Sequence, residues 1–145
     1  MSDETTTPEV PGSAEAVVWE AGAKVPALTV TPDKYLTVRY AGASGDFNPI
    51  HVDEEFARSV GLPGRILRGL WTMAQVAREQ TEAAGGPDRL KRLSVQFRGM
   101  GVPEQEVVVS SKVRELSGRS ALIDTEARQG DRRLVRRGVA ELDLS

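Results

Sequence analysis

Cysteine is absent from the 145-residue sequence, and histidine occurs only once. Without cysteine the chain has neither disulfides nor thiolate chemistry, and one histidine supplies too few ligands for a zinc site of the His/Cys type. No apolar run approaches the ~18 residues that a membrane-spanning helix needs. The polar N-terminus has neither the basic nor the apolar region of a secretory signal. We therefore expect a cytoplasmic protein that does not contact a membrane.

Aromatic residues are also sparse, at 5% of the chain, and the charges nearly balance, with 19 Lys and Arg against 21 Asp and Glu. A net charge of −2, with aromatics that do not alternate with basic residues, is not typical of a protein that binds nucleic acid. Hydrophobic residues make up 39%, and the length suits one domain. Residues 1–15, rich in Ser, Thr, Glu and Pro, are predicted to form a flexible tail, which places the folded domain at residues 16–145.

The pattern of apolar and turn-forming residues predicts helices in the first half of the chain and strands in the second. The predicted elements are a strand at 24–31, a helix from a Thr31 cap to about Tyr40, a helix from Asp53 to Gly61, a helix at 69–84 with apolar positions Leu70, Met73, Ala74 and Ala77, and strands at 92–97, 106–116, 120–128 and 132–144. This order predicts an α+β fold in which an antiparallel sheet wraps the long helix.

One short stretch, SGDFNPIH at residues 44–51, holds the only histidine together with an acid and an amide. Gly45 permits a tight turn, and Asn48-Pro49 turns the chain and disfavours a helix at that point. Asp46 and His51 then lie on one irregular segment, where a carboxylate and an imidazole that share a water form a general acid–base pair. On spacing alone, a plain turn with a surface histidine is the better supported interpretation.

The surrounding sequence changes that balance. Residues 40–73, YAGASGDFNPIHVDEEFARSVGLPGRILRGLWTM, resemble the hydratase motif of the MaoC-like family of (R)-specific enoyl-CoA hydratases and (3R)-hydroxyacyl-ACP dehydratases. The matching positions are Tyr40, Ala41, Ser44, Gly45, Asp46, Asn48, Pro49, Ile50, His51, Asp53 and Ala57. The resemblance covers about residues 20–145. It implies a hotdog fold, in which a curved antiparallel sheet wraps one long helix, and a dimer of like or unlike hotdog subunits.

The resemblance also implies an activity and roles for individual residues. The implied reaction interconverts (3R)-hydroxyacyl and trans-2-enoyl thioesters of CoA or acyl carrier protein. Asp46 and His51 match the family's catalytic pair, which holds the reacting water, with Asn48 and Ser44 supporting that pair. Gly69 matches the backbone N–H at a helix N-terminus that stabilises negative charge on the thioester carbonyl. The family implies neither a cofactor nor a metal.

Three residues near these positions are candidates for substrate binding. Arg68 stands where the family usually has histidine, and arginine is larger, always charged and unable to transfer a proton. Its side chain either contacts substrate or is solvated or ion-paired. Trp71 either packs in the core or narrows the acyl tunnel. Phe97 begins FRGMGVPEQ (97–105), which departs from the family's F-R-x-P-V-x-P-G-D and is expected at the substrate or dimer rim.

Basic residues are also concentrated late in the chain. They are Lys91, Arg92, Arg128, Arg132, Arg133, Arg136 and Arg137. On alternating strand positions such residues are typical of a solvated face, and the alternative is a landing site for CoA phosphates or an acidic carrier protein. Two other functions stay open. One is a hotdog partner subunit with little activity alone, which Arg68 favours, and the other is a hotdog thioesterase, which the hydration motif disfavours.

Overall fold

The computed structural model describes residues 17–145, so the predicted tail at 1–15 lies outside the described residues. The helices are α1 (Leu36–Ser44), α2 (Pro49–Val52), α3 (Glu54–Ser59) and α4 (Gly69–Ala84), and a single 3-10 turn follows at Pro87–Arg89. The strands are β1 (Lys24–Val30), β2 (Leu90–Phe97), β3 (Val107–Ser117), β4 (Ser120–Gln129) and β5 (Arg132–Asp143). The predicted α+β class is confirmed.

The five strands form one antiparallel sheet in the order β1-β3-β4-β5-β2. Helix α4 packs across this sheet and touches every strand. It ends at Gly85, which adopts a left-handed conformation and donates its N–H to the carbonyl of Thr81. The short helices α1 to α3 precede α4 in the chain. Within residues 17–145, no helix combines the length and apolar character needed to cross a lipid bilayer.

Two apolar clusters lie between α4 and the sheet, because alternate residues of β3 and β4 point toward the helix. One cluster is Leu67, Val76, Val107, Val109, Ala127, Leu134 and Val135, and the other is Val25, Val113, Ala121, Ile123, Ala140 and Leu142. The inward positions between them are polar, namely Ser111 on β3 and Thr125 on β4, and both are buried. Gln80 of α4 donates from Nε2 to Ser111 Oγ at 2.7 Å, so a buried polar layer joins the middle of the helix to the sheet.

Two details of the helix prediction were wrong. The first helix begins at Leu36 rather than after Thr31, because the Asp33 carboxylate accepts the Tyr35 N–H at 2.7 Å and holds a turn there. The predicted apolar stripe of α4 is not the buried one, since Leu70 is 63% exposed. The buried stripe is Thr72, Val76, Glu79 and Gln80. Glu79 and Gln80 are buried in this stripe because Ser111 on the sheet offers a hydroxyl partner for both.

Candidate active site

The SGDFNPIH segment is built from successive side-chain-to-backbone hydrogen bonds. Ser44 Oγ accepts the Asp46 N–H at 3.2 Å, Asp46 Oδ1 accepts the Asn48 N–H at 3.1 Å, and Asn48 Oδ1 accepts the Ile50 N–H at 3.2 Å. The last bond makes Asn48 the N-cap of α2. The predicted irregular segment therefore ends at residue 48, and His51 lies on a one-turn helix.

His51 is buried and held by one strong contact. Its Nδ1 lies 2.7 Å from the carbonyl oxygen of Ile66. A carbonyl only accepts hydrogen bonds, so Nδ1 carries the proton and donates it. In the neutral ring, Nε2 then keeps its lone pair and is free to accept a proton. The histidine is thus fixed in the tautomer that a general base needs. Its burial disagrees with the alternative interpretation of a surface histidine in a plain turn.

His51 lines a cavity of 220 Å³ between the start of α4 and the chain segment after β2. Gly69, the first residue of α4, lines the same cavity, and so does Phe97 at the end of β2. A side chain at position 69 has no room, because a Cβ there would lie 2.9 Å from Phe97 Cδ1. Glycine therefore lets an aromatic ring lie directly against the N-terminus of α4, where backbone N–H groups have no helical acceptor.

Asp46 is exposed in the single chain, and its carboxylate does not line that cavity. The Asn48 backbone N–H lowers the pKa of Asp46, and the positive charges of Arg68 and of protonated His51 act in the same direction. The group is consequently ionised near neutral pH. Asp46 is thus a carboxylate on the loop that leads to His51, electrostatically coupled to the imidazole.

Arg68 is only 7% exposed and is not one of the residues that line the cavity. Its guanidinium donates to the backbone carbonyls of Thr37, at 3.2 Å, and of Asp46. Its Nε lies 3.5 Å from Asp46 Oδ2, within ion-pair distance, and its Cζ lies 4.9 Å from the centre of the Tyr40 ring. The structure thus places Arg68 in an ion pair, and its contact with substrate stays a prediction. The side chain joins α1, the Asp46 loop and the start of α4.

The remaining sequence candidates divide into those at the cavity and those outside it. Phe97 lines the cavity and is 48% exposed. Trp71 is half-buried and packs against the cluster that contains Leu67 and Val76, and its role in narrowing an acyl tunnel stays a prediction. Asn48 and Ser44 are exposed and bond to the backbone of the segment, which gives them positions that shape it.

Sequence reasoning missed the glycines of FRGMGVP as part of the site. Gly99 and Gly101 both line the cavity. A Cβ on Gly99 would collide with the carbonyl oxygen of Arg133, and one on Gly101 would lie 2.9 Å from Leu67 Cδ1. Two glycines spaced by one residue after a strand are a signal of close backbone approach. That signal lay where the chain departs from the family pattern.

Glu79 is a second group that the sequence did not single out. It lies in α4, is 2% exposed, and accepts hydrogen bonds on Oε1 from Gln80 Nε2, at 2.9 Å, and from Ser111 Oγ. Burial raises the pKa of Glu79 to about 7, against the opposing effect of those hydrogen bonds. Among residues 17–145, Glu79 Oε2 and Gln80 Oε1 have no hydrogen-bond partner. In the same range, no three His, Asp or Glu side chains are grouped to hold a metal ion.

Comparisons with known proteins agree with this architecture. The β subunit of fatty acid synthase from Aspergillus oryzae is 37% identical over 108 residues, covering 72% of this chain and 5% of that protein. This chain therefore spans a small part of the length of the curated relatives it matches. The (R)-hydratase from A. caviae involved in PHA biosynthesis superposes with a TM-score of 0.78 at 23% identity, covering 88% of this chain and 98% of that one.

A chain of the ChsH1–ChsH2 complex from Mycobacterium tuberculosis superposes with a TM-score of 0.77 at 23% identity, covering 86% of this chain and 98% of that one. At these identities the two structures establish the fold alone, and that fold is the predicted hotdog. The family model described as MaoC like domain matches residues 16–132, which include Asp46, His51 and Gly69. This chain belongs to the MaoC-like domain family.

Proposed function

We propose that this protein is a hydro-lyase that interconverts (3R)-hydroxyacyl and trans-2-enoyl thioesters, with Asp46 and His51 acting on one water. The observation that carries the proposal is the fixed tautomer of His51 at the cavity, with Nδ1 donating to Ile66 and Nε2 left as the base. Gly69, which lines the same cavity, supplies a helix N-terminus. Family membership and the (R)-hydratase neighbour support the reaction class.

In the hydration direction, the water oxygen attacks C3 of the enoyl thioester while His51 Nε2 takes one of its protons. The pair of electrons from the C2–C3 double bond moves toward C2 and the thioester carbonyl. The imidazolium then returns its proton to C2, so that the elements of water add across the double bond. Asp46 stays ionised throughout, accepts a hydrogen bond from the water, and stabilises the imidazolium. Dehydration follows the same path in reverse.

Gly69 stabilises the charge that develops on the thioester oxygen. The first N–H groups of α4 have no helical acceptor, and the dipole of a 16-residue helix places partial positive charge at that end. Removing a single donor of this kind typically costs roughly 10²–10³-fold in rate. Because the donor is backbone, the change from histidine to arginine at position 68 does not remove it.

The test is a hydration assay with an enoyl-CoA that compares the wild-type protein with Asp46→Asn and His51→Ala. Each variant is expected to lose roughly 10²-fold or more, since His51→Ala removes the group that transfers the proton and Asp46→Asn removes the charge that stabilises the imidazolium. Asp33→Asn is the matched control, because Asp33 is an exposed aspartate that pairs with Arg39 outside the site. Equal rates for wild type, Asp46→Asn and His51→Ala would reject the proposal, and release of free thiol from an acyl-CoA would favour a thioesterase.

A second candidate is a subunit that works only beside a different hotdog chain. Leu70, Phe97 and Met100 are exposed hydrophobic residues on or next to the cavity, and such a patch is typical of a protein interface. The M. tuberculosis neighbour is a complex of two named components. Mass measurement in solution distinguishes the two cases, because an active homodimer on its own excludes an obligatory partner.

A further inference from the structure

A second hollow lies on the face of the sheet that points away from α4. Its volume is 480 Å³, and β1, β3, β4 and β5 contribute its walls. Its basic lining residues are Lys24, Lys112, Arg133, Arg136 and Arg137. Two carboxylates, Asp124 and Glu126, also line it, so five positive charges face two negative ones in a protein whose overall charge is −2. We call this feature the outer hollow.

The two carboxylates of the outer hollow are already paired. Arg114 Nε donates to Asp124 Oδ1 at 3.0 Å, and Glu126 lies 3.0 Å from Arg128 Nε and 3.5 Å from Arg133 Nε. These pairs leave four cations of the hollow, Lys24, Lys112, Arg136 and Arg137, with no carboxylate within ion-pair distance in the part of the chain that the structure describes. The hollow therefore has positive charge available for a ligand.

The arrangement of these cations carries a local energetic cost. Lys24 and Lys112 are direct cross-strand neighbours on β1 and β3, and like charges in that position destabilise a sheet. Arg137 has a φ of 50°, a left-handed conformation that is uncommon for a long side chain. It lies at a bulge in β5, since one residue of β4, Glu126, lies opposite two of β5, Arg136 and Arg137. Two such costs at one place are typical of a functional site.

We infer that the outer hollow binds a small ligand that carries two or more phosphate charges. Guanidinium and ammonium groups are the side chains that bind phosphate, and arginine does so with paired hydrogen bonds. A concave site of this volume falls within the range of roughly 300–1,000 Å³ that small ligands occupy, whereas a protein partner would require a broader and flatter surface. Of the basic residues noted in the sequence, Arg133, Arg136 and Arg137 belong to this site.

Calorimetric titration of the full-length protein with inorganic pyrophosphate tests the inference. Saturable binding to the wild type is expected, and Lys112→Gln and Arg137→Gly should each weaken it roughly tenfold or more. Arg92→Gln is the control, because Arg92 is an exposed cation on β2 that pairs with Glu141 at 3.7 Å outside the hollow. Sulfate at matched ionic strength measures non-specific anion binding.

Thermal unfolding of the same variants separates lost binding from lost folding. Lys112→Gln removes the like-charge neighbour of Lys24, and Arg137→Gly relieves a left-handed arginine, so both are expected to keep or raise the Tm. Displacement of pyrophosphate by CoA would identify the nucleotide end of a thioester as the ligand, and failure to displace it would identify a separate phosphorylated metabolite. Pyrophosphate binding that is absent from the wild type, equal across all variants, or matched by sulfate would overturn the inference.

Discussion

Glu79→Gln is expected to remove a large pH dependence from the stability of this protein. Burial raises the pKa of Glu79 from an ordinary 4.5 to about 7. The unfolded chain therefore releases this proton near pH 4.5, while the folded chain keeps it to about pH 7. The folded state binds more protons in that window, so the free energy of unfolding falls as pH rises through it. A shift of this size corresponds to roughly 3 kcal/mol.

The pH range in which Glu79 acts is suitable for this measurement because the other carboxyl groups with shifted pKa values affect stability at lower pH. The pKa values are lowered for Asp33, Asp46, Glu54 and Asp143. The stability that these carboxylates contribute is therefore fully present above the ordinary pKa of a carboxyl group, and it is lost only as the pH falls below about 4. Between about pH 5 and pH 7.5, a decline in stability with rising pH has the sign of a buried acid.

Urea unfolding followed by tryptophan fluorescence, at several values from about pH 5 to pH 8, measures this term. The wild-type free energy of unfolding should fall by roughly 3 kcal/mol across the range, while that of Glu79→Gln stays nearly flat. Glu82→Gln, an exposed change on the same helix at a residue paired with Arg78, should retain the wild-type slope. A wild type without the decline, or a Glu79→Gln variant with an undiminished slope, would refute the reasoning.

Three further predictions concern the site. Arg68→Ala should move the acidic limb of the kcat/KM–pH profile to higher pH, because the pKa of Asp46 rises once that guanidinium is gone; an unmoved limb would contradict this. Gly69→Ala should lower kcat by roughly 10–100-fold, since the new methyl group crowds the ring beside it and displaces the helix N-terminus, and hydration kinetics would measure the loss. Asn48→Ala and Asp53→Ala each remove a helix N-cap and should each cost about 1 kcal/mol by urea unfolding. Only Asn48→Ala should also lower activity strongly, because its helix carries the histidine; equal activity losses would argue against a positioning role.

The helix from 69 to 84 and the succession of strands along the chain were predictable because their signals are local. Gly69 and Gly85 bound α4 as predicted, and turn residues separate β3, β4 and β5. The buried face of α4 was not predictable from the same pattern. A stripe containing Glu79 and Gln80 predicts a solvent-facing surface. The stripe is buried because the hydroxyl of Ser111, more than thirty residues later in the chain, lies opposite it.

In the candidate site, too, local contacts were predictable from the sequence and contacts between distant parts of the chain were not. The local hydrogen bonds of Asp46 and Asn48 follow from their spacing, since such side chains bond to backbone two residues on. The bond from His51 to the carbonyl of Ile66 and the contact between Gly69 and Phe97 join distant parts of the chain. The sequence therefore indicated candidate groups for the chemistry, and the tertiary structure decided which of them share a cavity.

Arg68 illustrates how the site accommodates a departure from the family motif. A histidine at this position would be charged only below about pH 6.5, whereas the guanidinium is charged at every pH that the protein tolerates. Its contacts are two backbone carbonyls, the Asp46 carboxylate and the Tyr40 ring, none of which accepts or releases a proton in the proposed reaction. The ion pair with Asp46 therefore persists over the whole pH range in which Asp46 is ionised, and position 68 adds no proton-transfer group to the proposed reaction. Position 68 should accordingly affect the pH dependence of catalysis only through the pKa of Asp46.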